Sequence, residues 1–94
     1  MCHAPIQVQT LHVQRDTDLV GQRIRVSAAA HKYHVAQPML TRWADRGLIA
    51  ILRRAPRVLE LDEADVKLAT DLYATLLTYT NPKAAGHLLN TLLQ

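Results

Sequence analysis

The sequence predicts a mainly α domain with one small β-hairpin, and three observations carry that expectation. Apolar residues recur every three to four positions from residue 63 to residue 93, the period of helices packed on one side. Two short helical stretches between residues 27 and 47 are bounded by start and stop residues. Two short β-branched runs flank Pro56, which suits a loop and not a continuous strand. With 94 residues, 49% apolar and 20% charged, the chain is one globular domain rather than two or a disordered tail.

Taken in order, residues 5–14 alternate, with Ile6 and Val8, then Leu11 and Val13. A strand is predicted there, with a bend near Gln9–Thr10 where the alternation changes phase. Residues 15–22 carry turn formers, and Ile24–Val26 is a short extended piece. Ser27 is read as the N-cap of a helix over Ala28–Tyr33. His34-Val35-Ala36 is a turn, and a second helix runs from Gln37 to Arg46. Pro38 fits its first turn, where N–H groups lack intrahelical partners, and Gly47 stops it at C′. Leu48–Leu52 and Val58–Leu61 are read as a hairpin whose tip is Arg53–Arg57. Asp62 caps a long helix from Glu63 to about Tyr79, with Leu68, Leu72, Leu76 and Tyr79 on one face. Asn81 caps a last helix with Pro82 at its first position and an apolar stripe ending at Leu92 and Leu93. Two short helices joined by a three-residue turn and followed by a basic hairpin describe a winged helix-turn-helix. The organisation is then an N-terminal strand and loop over 1–22, the winged core over 23–66, and C-terminal helices over 67–94 for packing or oligomerisation.

Charge is unevenly distributed. Between Arg23 and Arg57 stand eight basic residues and one acid, Asp45, so this stretch is +7; the rest carries three basic residues against seven acids and is −4. Seven of the eight are arginine, whose planar fork matches phosphate and guanine edges. A basic middle of this kind is the footprint of a polyanionic partner; the competing reading is an ordinary solvated surface. The single cysteine excludes an internal disulfide and a multi-cysteine zinc site. No apolar run approaches the ~20 residues of a membrane span. No basic-then-apolar leader opens the chain, so a cytoplasmic, nucleoid-associated protein is expected.

Residues 26–66 carry a resemblance. Val26-Ser27-Ala28-Ala29-Ala30, Tyr33, Val35, Thr41-Arg42-Trp43, Gly47-Leu48-Ile49 and Leu59–Val66 stand in order and at matching spacings. This set resembles the MerR/excisionase-type winged helix-turn-helix family over about 40 of the 94 residues. The chain departs from the family at His34, where glycine is usual, at Ala36, where a serine cap is usual, and at Met39, where a small polar residue is frequent. The resemblance implies sequence-specific binding of double-stranded DNA by a small transcription regulator. An excisionase-like architectural role in bending DNA, or a protein-interaction module without DNA, are the alternatives.

On that reading Leu40 and Trp43 point inward, and Gln37, Pro38, Thr41, Arg42 and either Asp45 or Arg46 point outward. Gln37, Thr41 and Arg42 are the expected base readers: glutamine pairs with adenine, arginine with guanine, and the threonine methyl meets thymine. Arg53, Arg54 and Arg57 on the wing, with Arg25 and Lys32, are expected at phosphates. A single module offers a small contact, so a homo-oligomer is expected, either a dimer or a side-by-side assembly. His31 and His34 lack the spacing of a metal pair, and Asp62, Glu63 and Asp65 read as a capping cluster. No catalytic constellation, metal or cofactor is expected.

Overall fold

The computed structural model describes residues 15–94. The strand expected over 5–14, its bend, and the single cysteine, Cys2, lie outside the described residues. Four α-helices and a three-stranded antiparallel sheet make up the rest. In chain order they are β1 (Arg23–Arg25), α1 (Val26–Tyr33), α2 (Gln37–Asp45), β2 (Ile51–Ala55), β3 (Val58–Asp62), α3 (Glu63–Leu77) and α4 (Pro82–Leu93), preceded by a 3-10 turn at Thr17–Leu19. The sheet order is β1-β3-β2.

β1 runs straight into α1. Arg25 is still paired with Glu60 of β3, so the first helical residue is Val26 and Arg25 holds the cap position without a side-chain hydrogen bond. Ser27 is therefore not the cap the sequence suggests; strand pairing sets the helix start. α1 closes at His34, which adopts the left-handed conformation (φ 56, ψ 47), and the Val35 N–H donates to the Ala30 carbonyl at 3.1 Å. That closure normally uses glycine, because a β-carbon in this region costs about 1–2 kcal/mol. α2 starts at Ala36, also without a side-chain cap, with Pro38 in its first turn.

Gly47 ends α2 as expected, at φ 79. The Leu48 N–H donates to the Trp43 carbonyl (2.9 Å) and the Gly47 N–H to the Ala44 carbonyl (3.0 Å), a Schellman closure. This closure buries Leu48 and Ile49 in the turn, so β2 starts at Ile51 rather than Leu48. The hairpin turn is also tighter than expected. Ala55 pairs with Val58, leaving only Pro56-Arg57 between strands, and Arg57 takes φ 65. Proline before a positive-φ residue is the type II arrangement. Arg53 and Arg54 consequently lie in β2, not in the tip, and as neighbours in a strand they face opposite sides.

The Asp62 carboxylate accepts from the Ala64 N–H (3.0 Å) and the Asn81 side chain from the Ala84 N–H (2.9 Å), so both C-terminal helices have the caps expected of them. α3 ends at Leu77, not Tyr79: the Tyr79 and Thr80 N–H groups fold back onto the Leu76 carbonyl, and Tyr79 is left 76% exposed, off the expected face. α3 is the hub on which α1, β3 and α4 pack. Leu40, Ile49, Leu61, Val66, Leu72 and Leu89 are fully buried around it, each leucine contributing about 1.5–3 kcal/mol by leaving water. Trp43 joins them, meeting Tyr73 edge-on at 5.4 Å. No helix among the described residues is long and apolar enough to cross a membrane.

Candidate nucleic-acid interface

α2 is two-sided. Leu40, Trp43 and Ala44 are buried, which turns residues 37, 38, 41, 42, 45 and 46 outward. On a helix these six form two ridges: Gln37–Thr41–Asp45, and Pro38–Arg42–Arg46. The Thr41 hydroxyl donates to the Gln37 carbonyl at 3.1 Å, so its hydrogen is already engaged on the backbone.

Three adjoining concavities cover this side of the molecule. The shallow one over α2 is lined by all six outward residues. The second, about 460 Å³, lies between α2 and the hairpin, where Gln37 and Thr41 face Arg25, Arg54 and Arg57. The third, about 620 Å³, lies between α2 and α4, where Arg42 and Arg46 face Lys83 and His87. Because each outer concavity shares residues with the one over α2, the three form one continuous surface. Six cations line it: Arg25, Arg42, Arg46, Arg54, Arg57 and Lys83. Its one acid, Asp45, is paired to Arg54 at 3.3 Å. Val26 and Ser27, in the first turn of α1, also line the hairpin groove. The helices that start at this groove, α1 and α2, are thus the two without side-chain caps.

Two expected contacts are not brought to this surface. Lys32 is engaged by the Glu63 carboxylate on α3, and Arg53 faces Glu60 across the hairpin at 3.5 Å. Neither lines any of the three concavities. Conversely, Lys83 and His87 belong to the surface, although the sequence places them in the packing tail. Their spacing of four, on the side of α4 opposite buried Leu89, is the signal that marks them as one exposed row.

Set against protein-family models, curated proteins and solved structures, the chain matches none. Its function has to be read from the side chains themselves. Elsewhere the acids serve the fold. Glu63 accepts from Lys32 and from the Tyr33 hydroxyl, and these two hydrogen bonds hold its carboxyl below the usual range. Burial, reinforced by the bond to Glu63, pushes the Tyr33 hydroxyl up. Asp65 pairs with Arg15 at 3.1 Å and accepts from the Ala50 N–H at 2.9 Å. Asp16 pairs with Lys67 at 3.0 Å, which lowers the acid and raises the amine. Among the described residues, no group of three or more histidines, cysteines or acids is placed to hold a metal ion.

Proposed function

We propose that the chain is a winged helix-turn-helix protein of MerR/excisionase type that binds double-stranded DNA. In this reading α2 lies in the major groove, the hairpin is the wing, and the protein acts as a small transcription regulator at the nucleoid, in the cytoplasm. One observation carries it: Gln37 and Thr41 of α2 share a single groove with Arg54 and Arg57 of the hairpin. A helix and a loop that grip one duplex must face the same way, and a major groove about 12 Å wide admits one helix.

Three further features support the reading. The surface holds six cations against one acid, as a polyanion requires. The uncapped first turn of α1 and, in α2, the Gln37 N–H (Pro38 has none and Met39 donates to the Ala36 carbonyl) stand with the positive end of each helix dipole beside the groove, where phosphate is favoured. Arg57 keeps its charge at the hairpin tip in a conformation glycine would adopt more cheaply. Gln37, Thr41 and Arg42 then face base edges. Arg25, Arg46, Arg57 and Lys83 face phosphates, and Lys32 and Arg53 stand outside the contact. One module of this size covers only about 600–1,000 Å² of DNA contact, so the protein works as a homo-oligomer on paired or adjacent sites.

The test is selection from a random duplex library at fixed moderate salt, with wild type and Arg42→Ala in parallel. Wild type is expected to enrich a motif, and Arg42→Ala to lose preference at one base position. No enrichment of any sequence by wild type rejects the proposal. Sedimentation on the selected site then separates a two-fold dimer, which suits a regulator, from head-to-tail filling, which suits the architectural role.

A further inference from the structure

Asp45 does not fit the surface it occupies. It is the only acid between Arg23 and Arg57, and it lies in a concavity whose other residues are Pro38 and the polar or basic Gln37, Thr41, Arg42 and Arg46. It also ends α2, where the helix dipole disfavours a negative charge. Facing a polyanion, it would repel phosphate. Its partner is Arg54 of β2, which lines the adjoining hairpin groove, with Oδ1 and Nη2 at 3.3 Å. Both side chains are well exposed, at 59% and 62%, and exposed pairs of this kind contribute little to stability. Holding the fold together therefore does not account for it.

We infer that Asp45 is a specificity-determining positioning residue: from α2, beside the hairpin groove, its carboxylate holds the Arg54 guanidinium so that Arg54 reads a guanine edge instead of gripping phosphate. This rests on the duplex-binding reading above. The guanidinium carries five N–H donors in a rigid fork, so one bond to Asp45 leaves others free for the O6 and N7 acceptors of guanine. The pair is weak while solvated and strengthens as a duplex covers it and excludes water, which favours one arginine geometry over the many that a phosphate accepts. The carboxylate meanwhile disfavours every register that brings a phosphate to that spot. Asp45 thus weakens binding to arbitrary DNA and sharpens the choice among sequences.

The experiment compares wild type, Asp45→Asn, Arg54→Ala and the double variant. It reads affinity for a random-sequence duplex in 0.1 M salt and the base-preference profile from library selection. In Asp45→Asn the released Arg54 can neutralise one further phosphate, so this variant is expected to bind random duplex about eightfold more tightly at that salt. It is also expected to lose most of its preference at one guanine. Arg54→Ala should lose preference at the same position, and the double variant should be no worse there than Arg54→Ala alone. An Asp45→Asn profile superimposable on wild type overturns the inference, whether or not random binding rises. So does unchanged or weaker binding to random duplex. A wild type that binds no duplex at all removes the duplex-binding reading and this inference together, whereas a binding wild type with an indifferent Asp45→Asn removes this inference alone.

Discussion

Salt dependence distinguishes an organised face from mere net charge. Of the six cations on the surface, Arg42 and Arg54 are assigned to bases, which leaves Arg25, Arg46, Arg57 and Lys83 for phosphates. Each neutralised phosphate contributes about −0.9 to the slope of log K against log salt, so four give about −3.6. Raising salt from about 50 to about 200 mM should then weaken binding ~150-fold. Arg57→Gln and Lys83→Gln should each flatten the slope by about 0.9, and together by about 1.8. Lys32→Gln and Arg53→Gln remove the same formal charge from side chains held by Glu63 and Glu60 outside the surface, and should leave the slope unchanged. Fluorescence anisotropy of a labelled duplex titrated at five or more salt concentrations measures all six proteins. Equal flattening by Lys32→Gln and Lys83→Gln would refute the reasoning, because binding would then follow total charge and not the face.

Three other outcomes concern the fold that holds this face in place. Trp43→Ala removes a side chain only 3% exposed and its edge contact with Tyr73, and should cost about 3–5 kcal/mol in urea unfolding followed by circular dichroism. A loss below about 1 kcal/mol would contradict the packing described. His34→Gly relieves the left-handed position at the end of α1 and should raise stability by about 0.5–1 kcal/mol, set by strain removed against freedom gained in the unfolded chain; the same unfolding assay reads it. Glu63 has its carboxyl held below its ordinary value of 4.5, so its contribution is fully present above that pH and is lost as the pH falls through the lowered value. Glu63→Gln should destabilise by about 1–2 kcal/mol at neutral pH, since Lys32 is partly solvated, and the gap from wild type should close in acid. A gap that stays constant from neutral pH into acid would show that the charge of Glu63 contributes nothing.

Much of the fold is legible because its signals are local. Pro38, Gly47, Asp62 and Asn81 act within a few residues of themselves, and the helix boundaries they imply are observed to within one residue, whereas the α1 start and the α3 end each differ by two. What escapes the sequence depends on partners far along the chain. Ser27 looks like a cap until β1 pairs with β3 and carries extended structure up to Arg25. Leu48 and Ile49 look like strand until the closure on Trp43 buries them. A basic run from Arg53 to Arg57 looks like one tip, because no Asn-Gly or Asp-Gly marks the turn; a two-residue Pro56-Arg57 turn instead sends Arg53 and Arg54 to opposite sides. Lys83 is far from Arg46 in sequence and reaches its groove only because α4 folds back along α3.

The departures from local rules are not scattered. α1 and α2 start without side-chain caps, Asp45 puts an acid at the wrong end of its helix, and Arg57 sits at positive φ; all four border the hairpin groove or the concavity beside it. α3 and α4, which carry the core, keep proper caps and, in α3, acids in the first turn. A sequence that specifies one structure agrees with itself at every level, and the exceptions that persist fall where a ligand, not the fold, sets the requirement. An uncapped helix start is favourable once a phosphate accepts its N–H groups, and a strained arginine at a turn is favourable once its charge meets a backbone. His34 lies away from this face, and nothing in the structure explains its choice over glycine. The clustering of the other four is what a duplex-gripping surface predicts. An ordinary solvated face would not require it, because there serine at position 36 and glycine at position 57 would stabilise the fold with nothing lost.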